Sequence, residues 1–360
     1  MEKINVAIIG QGRSGRNIHG KYFLSPGNTT VNVVAIVDEI PLRREKAAEA
    51  FKCDVYADYR ELFDRKDIDL IVNASFSEMH YAISKDCLLH GFNVLSEKPF
   101  GASWLECQDL IHTAKKRNLV LAAFHQSLFA PNFRKVEEVI KSGVLGKIEQ
   151  VDLNYSGFAR RWDWQTLQYK CAGSVYNSGP HPIGQALQLL GWDPYTTVAY
   201  SRLDTLVTSG DADDYGKILL TAPGKPLMDI EINSADASCP YTFKVFGANG
   251  VLTVKGNNYE LKYIIPEEHC ERPVIREALA NENGDPIYCS GDTLNWHTEE
   301  GSVVGDGFTS AVHEFYEMIR AHIKEGKPLS ITPEMAAEVI RVIEICHAVN
   351  PLPIKYGLED

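Results

Sequence analysis

The residues near the start of the chain constrain its fold more than any other stretch. An apolar run at residues 6–9 leads directly into Gly10-Gln11-Gly12-Arg13-Ser14-Gly15, and residues 16–24 have the pattern of a helix. A G-x-G-x-x-G loop between a strand and a helix is typical of a dinucleotide-binding site. In such a loop Gly10 permits the tight turn, Gly12 admits a pyrophosphate, and Gly15 lets the helix pack on the strand. The stretch therefore predicts a Rossmann fold whose loop, with Arg13 and Ser14, binds a dinucleotide.

An acidic residue follows at a suitable distance from this loop. A second apolar strand at residues 31–37 ends in Asp38. An aspartate at this place hydrogen-bonds the adenosine ribose and repels a 2′-phosphate, so we expect NAD as the cofactor. Arg43 and Arg44 keep NADP as an alternative because a nearby arginine can hold that phosphate. Both follow Pro41-Leu42 on a predicted helix, where we expect them to point to solvent.

Length, charge and cysteine content indicate the domain organisation of the chain and the kinds of partner and compartment to expect. The chain has 360 residues, and its pattern changes after residue 125, so we expect a dinucleotide-binding domain at 1–125 and a substrate-binding and oligomerisation domain at 126–360. The net charge of −12 argues against nucleic acid or a membrane surface as partner. The eight cysteines form no C-x-x-C pair, so no metal site is expected. Without a leader peptide or an apolar span, a cytoplasmic protein is expected.

Residues 1–125 alternate between strands and helices. After the first two strands, further strands are predicted at 55–56, 70–74, 93–96 and 119–123, and helices at 41–51, 59–64, 78–90 and 103–116. Repeated βα units indicate a doubly wound parallel sheet with helices on both faces. Ligands of such sheets bind at the carboxyl ends of the strands, near the point where the strand order reverses.

After residue 124 strands follow one another with few helices between them. A helix at 131–142 precedes predicted strands at 148–155, 197–203, 217–221, 227–232, 242–246, 251–254 and 259–264. This order predicts an α+β domain with a large, mainly antiparallel open sheet. Asn249-Gly250 is a strong hairpin signal, and residues 265–305 are expected to form an irregular surface excursion. Two helices close the chain, the last with Thr332 as its N-cap.

Four motifs, in this order, resemble the Gfo/Idh/MocA oxidoreductases: Gly10-Gln11-Gly12-Arg13-Ser14-Gly15, Glu97-Lys98-Pro99, Gly179-Pro180-His181-Pro182 and Val245-Phe246-Gly247-Ala248-Asn249-Gly250. The resemblance covers nearly the whole chain. It implies an NAD(P)-dependent dehydrogenase or reductase whose substrate is a sugar, a polyol such as inositol, or a related cyclic alcohol. It also implies a homodimer or homotetramer joined through the C-terminal sheet.

The resemblance assigns roles to individual residues. Lys98 matches a lysine that lies near the nicotinamide and the substrate hydroxyl, and the peptide bond before Pro99 is expected to be cis. His181 matches the catalytic histidine. Ser75, Phe76 and His80 match a segment beside the cofactor, and Arg161-Trp162 falls on a stretch that in some members reaches the cofactor or the substrate.

Two positions depart from the family pattern. Asn177 and Gly184 stand where the family usually has an aspartate four positions before the histidine and often has another three positions after it. An asparagine cannot accept a proton, so we expect Asn177 to hold a substrate hydroxyl or His181 by hydrogen bonds. A catalytically silent NAD-binding protein is therefore one alternative. Another is an NAD-dependent glycoside hydrolase or lyase that oxidises the sugar transiently.

Hydride transfer to or from a hydroxyl-bearing carbon also moves a proton, which the protein must accept or supply. Lys98 follows a predicted buried strand, where burial and the nicotinamide cation lower the pKa of a lysine. A surface lysine paired with Glu97 is the alternative. His181 lies in a turn bounded by glycine and proline, ahead of an apolar helix, where it could also be a capping or core histidine. We expect Lys98 and His181 to share the proton, with His181 neutral at pH 7.

The remaining candidates are polar or aromatic. Gln126 is expected at the cofactor and His125 at the substrate, although both could instead support the site from behind. Tyr155, Arg160, Arg161, Trp162 and Trp164 form a cluster suited to a sugar, unless they face solvent or another subunit. In total, the expected cofactor contacts are Gly10, Gly12, Arg13, Ser14, Gly15, Asp38, Ser75, Phe76, His80, Glu97, Lys98, Gln126, Arg161 and Trp162, and the expected substrate contacts are Lys98, His125, Tyr155, Arg160, Trp164, Asn177 and His181.

Overall fold

Six parallel strands form the first sheet of the protein. The computed structural model describes residues 2–289, 291–305 and 309–357. The strands are β1 (Ile4–Ile9), β2 (Val31–Val37), β3 (Asp54–Tyr56), β4 (Leu70–Asn73), β5 (Val94–Ser96) and β6 (Leu121–Ala123). Their order is β3-β2-β1-β4-β5-β6, so the strand order reverses between β1 and β4. This is the doubly wound Rossmann arrangement, which confirms the predicted fold class of the N-terminal part.

Helices on both faces bury this sheet. A π-helical segment, Arg13–Gly20, continues into the short α1 (Lys21–Phe23), and α2 (Pro41–Phe51), α3 (His80–Leu89) and α4 (Trp104–Arg117) follow. The first helix thus begins at Arg13, three residues before its predicted start. The residues predicted as a helix at 59–64 form a 3-10 turn, Tyr59–Leu62. Because the strands are covered on both faces, β4 and β5 are buried along their whole length.

Eight strands form the second sheet. After α5 (Pro131–Ser142), the chain forms β7 (Ile148–Asn154), α6 (Ser174–Asn177), α7 (Pro180–Leu189), β8 (Thr197–Asp204), β9 (Tyr215–Thr221), β10 (Leu227–Asn233), β11 (Phe243–Gly247), β12 (Gly250–Lys255) and β13 (Asn258–Tyr263). A small hairpin of β14 (Leu279–Ala280) and β15 (Pro286–Ile287) precedes β16 (His297–Ser302). The order is β16-β13-β12-β11-β7-β10-β9-β8, antiparallel except for the parallel pair β7 and β10. The predicted large, mainly antiparallel sheet is confirmed.

Two local predictions in this half need correction. Residues 265–305 are not wholly irregular, because β16 pairs with β13 over the full length of both strands. The hairpin at Asn249-Gly250 exists, but its loop residues are Ala248 and Asn249, and Gly250 already pairs with Gly247 in the ladder. Within this loop, the backbone N–H of Asn249 donates to the Leu145 carbonyl at 2.9 Å.

The second sheet has one buried face. Along β9 and β10, residues alternate between buried and half-buried, and the buried set includes Ile218, Leu220, Met228 and Ile230. Helices α6 and α7 pack against β10. On the opposite face, Lys217 pairs with Asp229 at 2.5 Å and with Glu231 at 3.2 Å. The sheet therefore presents one apolar face inward and one charged face outward.

The last two helices return to the first sheet. Helix α8 (Thr309–Glu325) packs against β1, and α9 (Pro333–Val349) packs against α4 and β6. Thr332 caps α9 as predicted, because its Oγ1 accepts the N–H of Met335 at 3.4 Å. The C-terminal segment thus completes the core of the N-terminal half. Among the described residues, no helix combines the length and apolarity that a bilayer crossing requires.

Candidate active site

A cleft of about 1010 Å³ opens where the carboxyl ends of β1 and β4 meet the second half of the chain. Gly10 and Asp38 lie toward one end of its lining, and Lys98 and His181 lie toward the other. We call the part around Lys98, Asn177 and His181 the substrate end. The cleft lies at the reversal of strand order, where ligands of this fold bind.

The glycine loop has the geometry that its sequence predicts. Gly10 has φ +93°, and a Cβ there would lie 2.4 Å from the Ala74 carbonyl oxygen. A Cβ on Gly15 would lie 1.8 Å from the Gly10 oxygen, so helix and strand touch through glycine. Gly12 instead faces open space. The first backbone hydrogen bond of the helix is donated by Arg16 to Gly12, which leaves the preceding N–H groups for an anion.

Asp38 is buried beside this loop. Its Oδ2 accepts the N–H of Gln11 at 2.7 Å, and its Oδ1 accepts the N–H of Ile40 at 2.9 Å. The two arginines do not point freely to solvent as expected. Arg43 lines the cleft with Nη1 3.5 Å from Asp38 Oδ2, and Arg44 Nη1 donates to the Asp38 carbonyl at 2.7 Å. Helix α2 begins at Pro41, so its first turn directs both side chains back toward Asp38.

The opposite wall of the cleft is built around His80. This ring lies within hydrogen-bonding distance of two carbonyls, with Nδ1 2.7 Å from Pro99 O and Nε2 3.2 Å from Ser75 O. It joins the loop after β4 to the Lys98–Pro99 peptide bond, which is cis as expected. Burial lowers the pKa of His80. Ser75 and Phe76 line the cleft next to it.

The cleft suits a nicotinamide dinucleotide. Gly12 leaves room for the pyrophosphate beside free backbone N–H groups, and Asp38 lies where a ribose is bound. Gln126 also lines the cleft, and its buried Oε1 has no hydrogen-bond partner among the described residues. An unpaired buried acceptor is costly, so a ligand N–H at this point would be stabilising.

Lys98 lies at the substrate end and is half-buried. Its Nζ donates to the Asn177 carbonyl at 2.5 Å and to Asn177 Oδ1 at 3.0 Å. Burial lowers the pKa of Lys98, the Glu97 carboxylate opposes that change, and the positive charges of Arg13 and Arg161 add to it. A neutral amine has two N–H bonds, which these two acceptors satisfy, and one lone pair, which stays available for a proton.

Glu97 does not form the surface ion pair with the Lys98 side chain that was the alternative for this lysine. Its Oε2 accepts the Lys98 backbone N–H at 3.0 Å, and its Oε1 lies 3.0 Å from His19 Nε2. His19 Nδ1 is in turn 2.6 Å from the Tyr316 hydroxyl on α8. Burial alone would raise the pKa of Glu97, but the hydrogen bond and charge of His19 lower it to about 2. The carboxylate therefore holds the Lys98 backbone.

His181 lies in the first turn of α7, not in a turn ahead of it, because Pro180 already occupies the first helical position. Its Nδ1 is 3.0 Å from Ser127 Oγ, and the Tyr155 ring stacks against it at 6.4 Å between centroids. Burial, followed by the charges of Lys98 and His125, lowers the pKa of His181 to about 3. The ring is therefore neutral at pH 7.

Asn177 contacts Lys98 and Gln165 but makes no described hydrogen bond to His181. Gln165 Nε2 donates to Asn177 Oδ1 at 3.4 Å. Gly184, the other departure from the family pattern, packs on His125, since a Cβ there would lie 3.4 Å from His125 Nδ1. His125 is buried outside the cleft lining, and burial lowers its pKa to about 4. It lies behind the site.

The polar-aromatic cluster divides into two groups. Tyr155, Arg161 and Trp164 line the cleft, and Trp164 packs edge-on against Phe76 with 5.0 Å between ring centroids. Arg160 and Trp162 are outside the lining, and Trp162 is 81% exposed. The backbone after β7 stays extended, with Ala159 donating to Ser234 at 2.9 Å, so neighbouring side chains alternate between the cleft and solvent. Cofactor contact by Trp162 and substrate contact by Arg160 stay predictions.

Sequence reasoning missed four residues that hold this site: Ser127, Gln165, Gln185 and Tyr316. Gln185 accepts the Tyr155 hydroxyl at 2.8 Å and donates to the Ser127 carbonyl at 3.0 Å. Ser127 directly follows Gln126, which is the one local signal that could have indicated it. Gln165 likewise follows Trp164, whereas Gln185 and Tyr316 lie on helices α7 and α8, whose packing no local pattern reveals. In the described part of the chain, no group of three or more His, Cys, Asp or Glu residues is placed to hold a metal ion.

Comparison with known proteins gives matches over both halves. Residues 4–125 match the model of an oxidoreductase family with an NAD-binding Rossmann fold, and residues 133–253 match the GFO/IDH/MocA C-terminal domain. An uncharacterized oxidoreductase of Schizosaccharomyces pombe is 28% identical over 66% of this chain and 66% of its own length, so the match spans just under two thirds of that relative. The scyllo-inositol 2-dehydrogenase (NADP(+)) IolW of Bacillus subtilis is 24% identical over 96% of this chain and 93% of its own.

Solved structures share the whole fold. An oxidoreductase from Agrobacterium radiobacter, in complex with NAD⁺, L-tartaric acid and magnesium, superposes with a TM-score of 0.76 at 16% identity. The superposition covers 96% of each chain. At this identity the likeness concerns the fold alone.

Proposed function

Because the chain belongs to the Gfo/Idh/MocA family of NAD-binding oxidoreductases, we propose that it transfers a hydride between nicotinamide and a hydroxyl- or keto-bearing carbon of a sugar, a polyol or a related cyclic alcohol. The proposal rests mainly on the position and hydrogen bonds of Lys98. The Lys98 amine donates both hydrogen bonds of a neutral amine to Asn177 at the substrate end of the cleft that holds the dinucleotide loop. The inositol dehydrogenase among its relatives supports the substrate class.

Lys98 is the proton acceptor during oxidation. The bound nicotinamide supplies the hydride acceptor, and the protein must take the hydroxyl proton as the carbon gives up its hydride. Burial lowers the pKa of Lys98 and so favours its free base, and Asn177 accepts two hydrogen bonds from Nζ, which leaves the remaining position on the nitrogen for the lone pair. In the reverse direction the ammonium form of Lys98 returns the proton to the alcohol oxygen.

His181 orients the substrate and shares the proton only as a hydrogen-bond partner, because a ring whose pKa is lowered to about 3 does not hold a positive charge at pH 7. With Nδ1 facing Ser127 Oγ, the other ring nitrogen is left for a substrate hydroxyl. The pKa of about 3 keeps the ring neutral, so Nε2 either donates or accepts a hydrogen bond according to the tautomer. Tyr155, stacked on the ring and held by Gln185, fixes its plane.

Purified protein should be tested with NAD⁺ and NADP⁺ against a panel of inositols, free sugars, sugar acids and aryl glycosides, following nicotinamide absorbance and product. The proposal predicts stoichiometric reduced cofactor and keto product from a free polyhydroxy compound. Release of an aglycone without net cofactor reduction would instead establish the glycoside-cleaving alternative. Cofactor binding with no turnover across the panel would establish a silent binding protein.

We also propose a homodimer or homotetramer that associates through the outward face of the second sheet. That face has no helix packed on it in the described residues and carries the charged pairs of Lys217. The net charge of −12 argues against nucleic acid or a membrane as partner. The scattered, unpaired cysteines favour a reducing compartment such as the cytoplasm.

A further inference from the structure

Arg161 is linked to Lys98 through two amide side chains, those of Gln165 and Asn177. Its Nη2 donates to Gln165 Oε1, and Gln165 Nε2 donates to the same Asn177 oxygen that accepts Lys98 Nζ. Arg161 also lies near enough to Lys98 for its charge to lower the pKa of that lysine. The guanidinium therefore lies at the substrate end, two side chains from the lysine that takes the proton.

The guanidinium is fixed in place but retains free donors. Asp163 Oδ2 accepts from Nη2 at 2.7 Å, and Asp163 Oδ1 accepts the Gln165 N–H at 2.9 Å, so this carboxylate orients both side chains. Both described hydrogen bonds of Arg161 fall on Nη2. The N–H groups on Nη1 and Nε have no described partner, although the side chain is only 28% exposed. Nε and Nη1 do not lie side by side on the guanidinium, so each donates singly, and in this partly buried position either can form a charge-assisted hydrogen bond with a carboxylate oxygen.

Asp163 is the acid of the cleft lining that pairs with Arg161, and its described contact is with Nη2. The remaining acids of the cleft lining are Asp38, Glu39 and Asp58 at the adenosine end and Glu97, whose two oxygens face His19 and the Lys98 backbone. Arg13 follows Gly12 in the dinucleotide loop and is placed for the pyrophosphate. Asn177 and Gln165 contribute amides, not carboxylates, between Lys98 and Arg161.

We propose that the substrate is an acidic sugar or polyhydroxy acid, whose carboxylate is bound by the free N–H groups of Arg161 while the hydroxyl that is oxidised faces Lys98. The inference rests on the proposed function, because it names the substrate class of the same site. Trp164 and Tyr155, which also line the cleft, provide apolar faces for the carbon skeleton.

The test measures binding to the protein–NADH complex by calorimetry, so that no turnover is needed. D-Galacturonate is compared with D-galactose, and D-gluconate with sorbitol. A charge-assisted pair predicts that at least one acid binds about 10- to 100-fold more tightly than its neutral counterpart. Arg161→Gln should abolish the preference, whereas the cofactor contact expected for Arg161 from the sequence would instead lower NADH affinity in this variant. Arg161→Lys should restore only part of the preference.

Arg202→Gln is the matched control, because it removes a guanidinium that pairs with Asp204 on β8, away from the cleft. It should leave the preference intact. Equal binding of acid and neutral partner, no binding of any acid, or a loss of NADH affinity in Arg161→Gln would each overturn the inference. Reduction of NAD⁺ by a neutral polyol without acid preference would overturn this inference alone, whereas failure to bind or reduce NAD⁺ would overturn the proposed function.

Discussion

Replacing Asn177 by aspartate places a negative charge directly beside the proposed base. Asn177 Oδ1 lies 3.0 Å from Lys98 Nζ, and an aspartate of nearly the same shape fits the same position. A carboxylate there stabilises the ammonium form of Lys98 and so raises its pKa, opposing the effect of burial. Above its pKa the lysine accepts a proton, and below it cannot. The acid limb of the pH profile for oxidation should therefore move to higher pH.

The distance gives the size of the effect. Unit charges 3.0 Å apart interact with about 5 kcal/mol at an effective dielectric constant of about 20. Desolvation of the new carboxylate offsets part of this, and opposite charges at such range change protonation equilibria in proteins by about 10- to 1000-fold. At a pH below the acid limbs of both proteins, kcat/KM for oxidation should be about 10- to 1000-fold lower in Asn177→Asp than in wild type. The two proteins should approach the same value at alkaline pH.

The assay is the pH dependence of kcat/KM for Asn177→Asp and wild type, with circular dichroism to establish folding. Asn177→Ala is the control, since it removes the Oδ1 acceptor without adding charge and keeps the backbone carbonyl that accepts from Nζ at 2.5 Å. It should lower activity, partly through substrate affinity, without moving the limb upward. An acid limb that stays in place or moves to lower pH in Asn177→Asp would refute Lys98 as the group that titrates.

Three further predictions concern the histidine, the cofactor and the assembly. His181→Ala should lower kcat/KM by about 10²- to 10⁴-fold, the usual effect of losing a positioned acid–base group; near-normal steady-state rates on the true substrate would make His181 only structural. Fluorescence titration should show tighter binding of NADH than of NADPH, because Asp38 repels a 2′-phosphate, and Arg43→Ala should widen that difference; tighter NADPH binding would contradict the role of Asp38. Sedimentation velocity should show a dimer or tetramer, and a monomer at assay concentrations would remove the proposed role of the open sheet face.

Local signals in the sequence were enough to predict the fold and the parts of the cleft that lie on the first sheet. The glycine loop, the strand ends at Asp38 and Lys98 and the boundaries of α2 and α5 follow from motifs, proline positions and apolar runs. Strand β16 was missed because His297-Thr298-Glu299-Glu300-Gly301-Ser302 has no apolar alternation and is a strand only through its pairing with β13. An edge strand of this kind needs no buried face.

The missed site residues are held by contacts between distant parts of the chain. Tyr316 reaches His19 across 297 residues, and Gln185 reaches Tyr155 across 30. Spacing along one element predicts which side chains share a face, but it does not predict which elements meet. The side chain of Arg43 shows the same limit at short range, since the bounds of α2 were predicted correctly but the contact of Arg43 with Asp38 was not.

The most direct test of the account compares wild type and Lys98→Met with a turned-over polyhydroxy substrate and NAD⁺. Met has a similar length without a proton-accepting atom, and Lys147→Met controls for the loss of an exposed lysine that pairs with Glu149. If Lys98 accepts the proton, wild type and Lys147→Met each form one keto product per NADH, whereas Lys98→Met binds NAD⁺ with near wild-type affinity and forms neither product. NADH formation by Lys98→Met at a rate close to that of wild type would contradict the central claim that Lys98 accepts the proton.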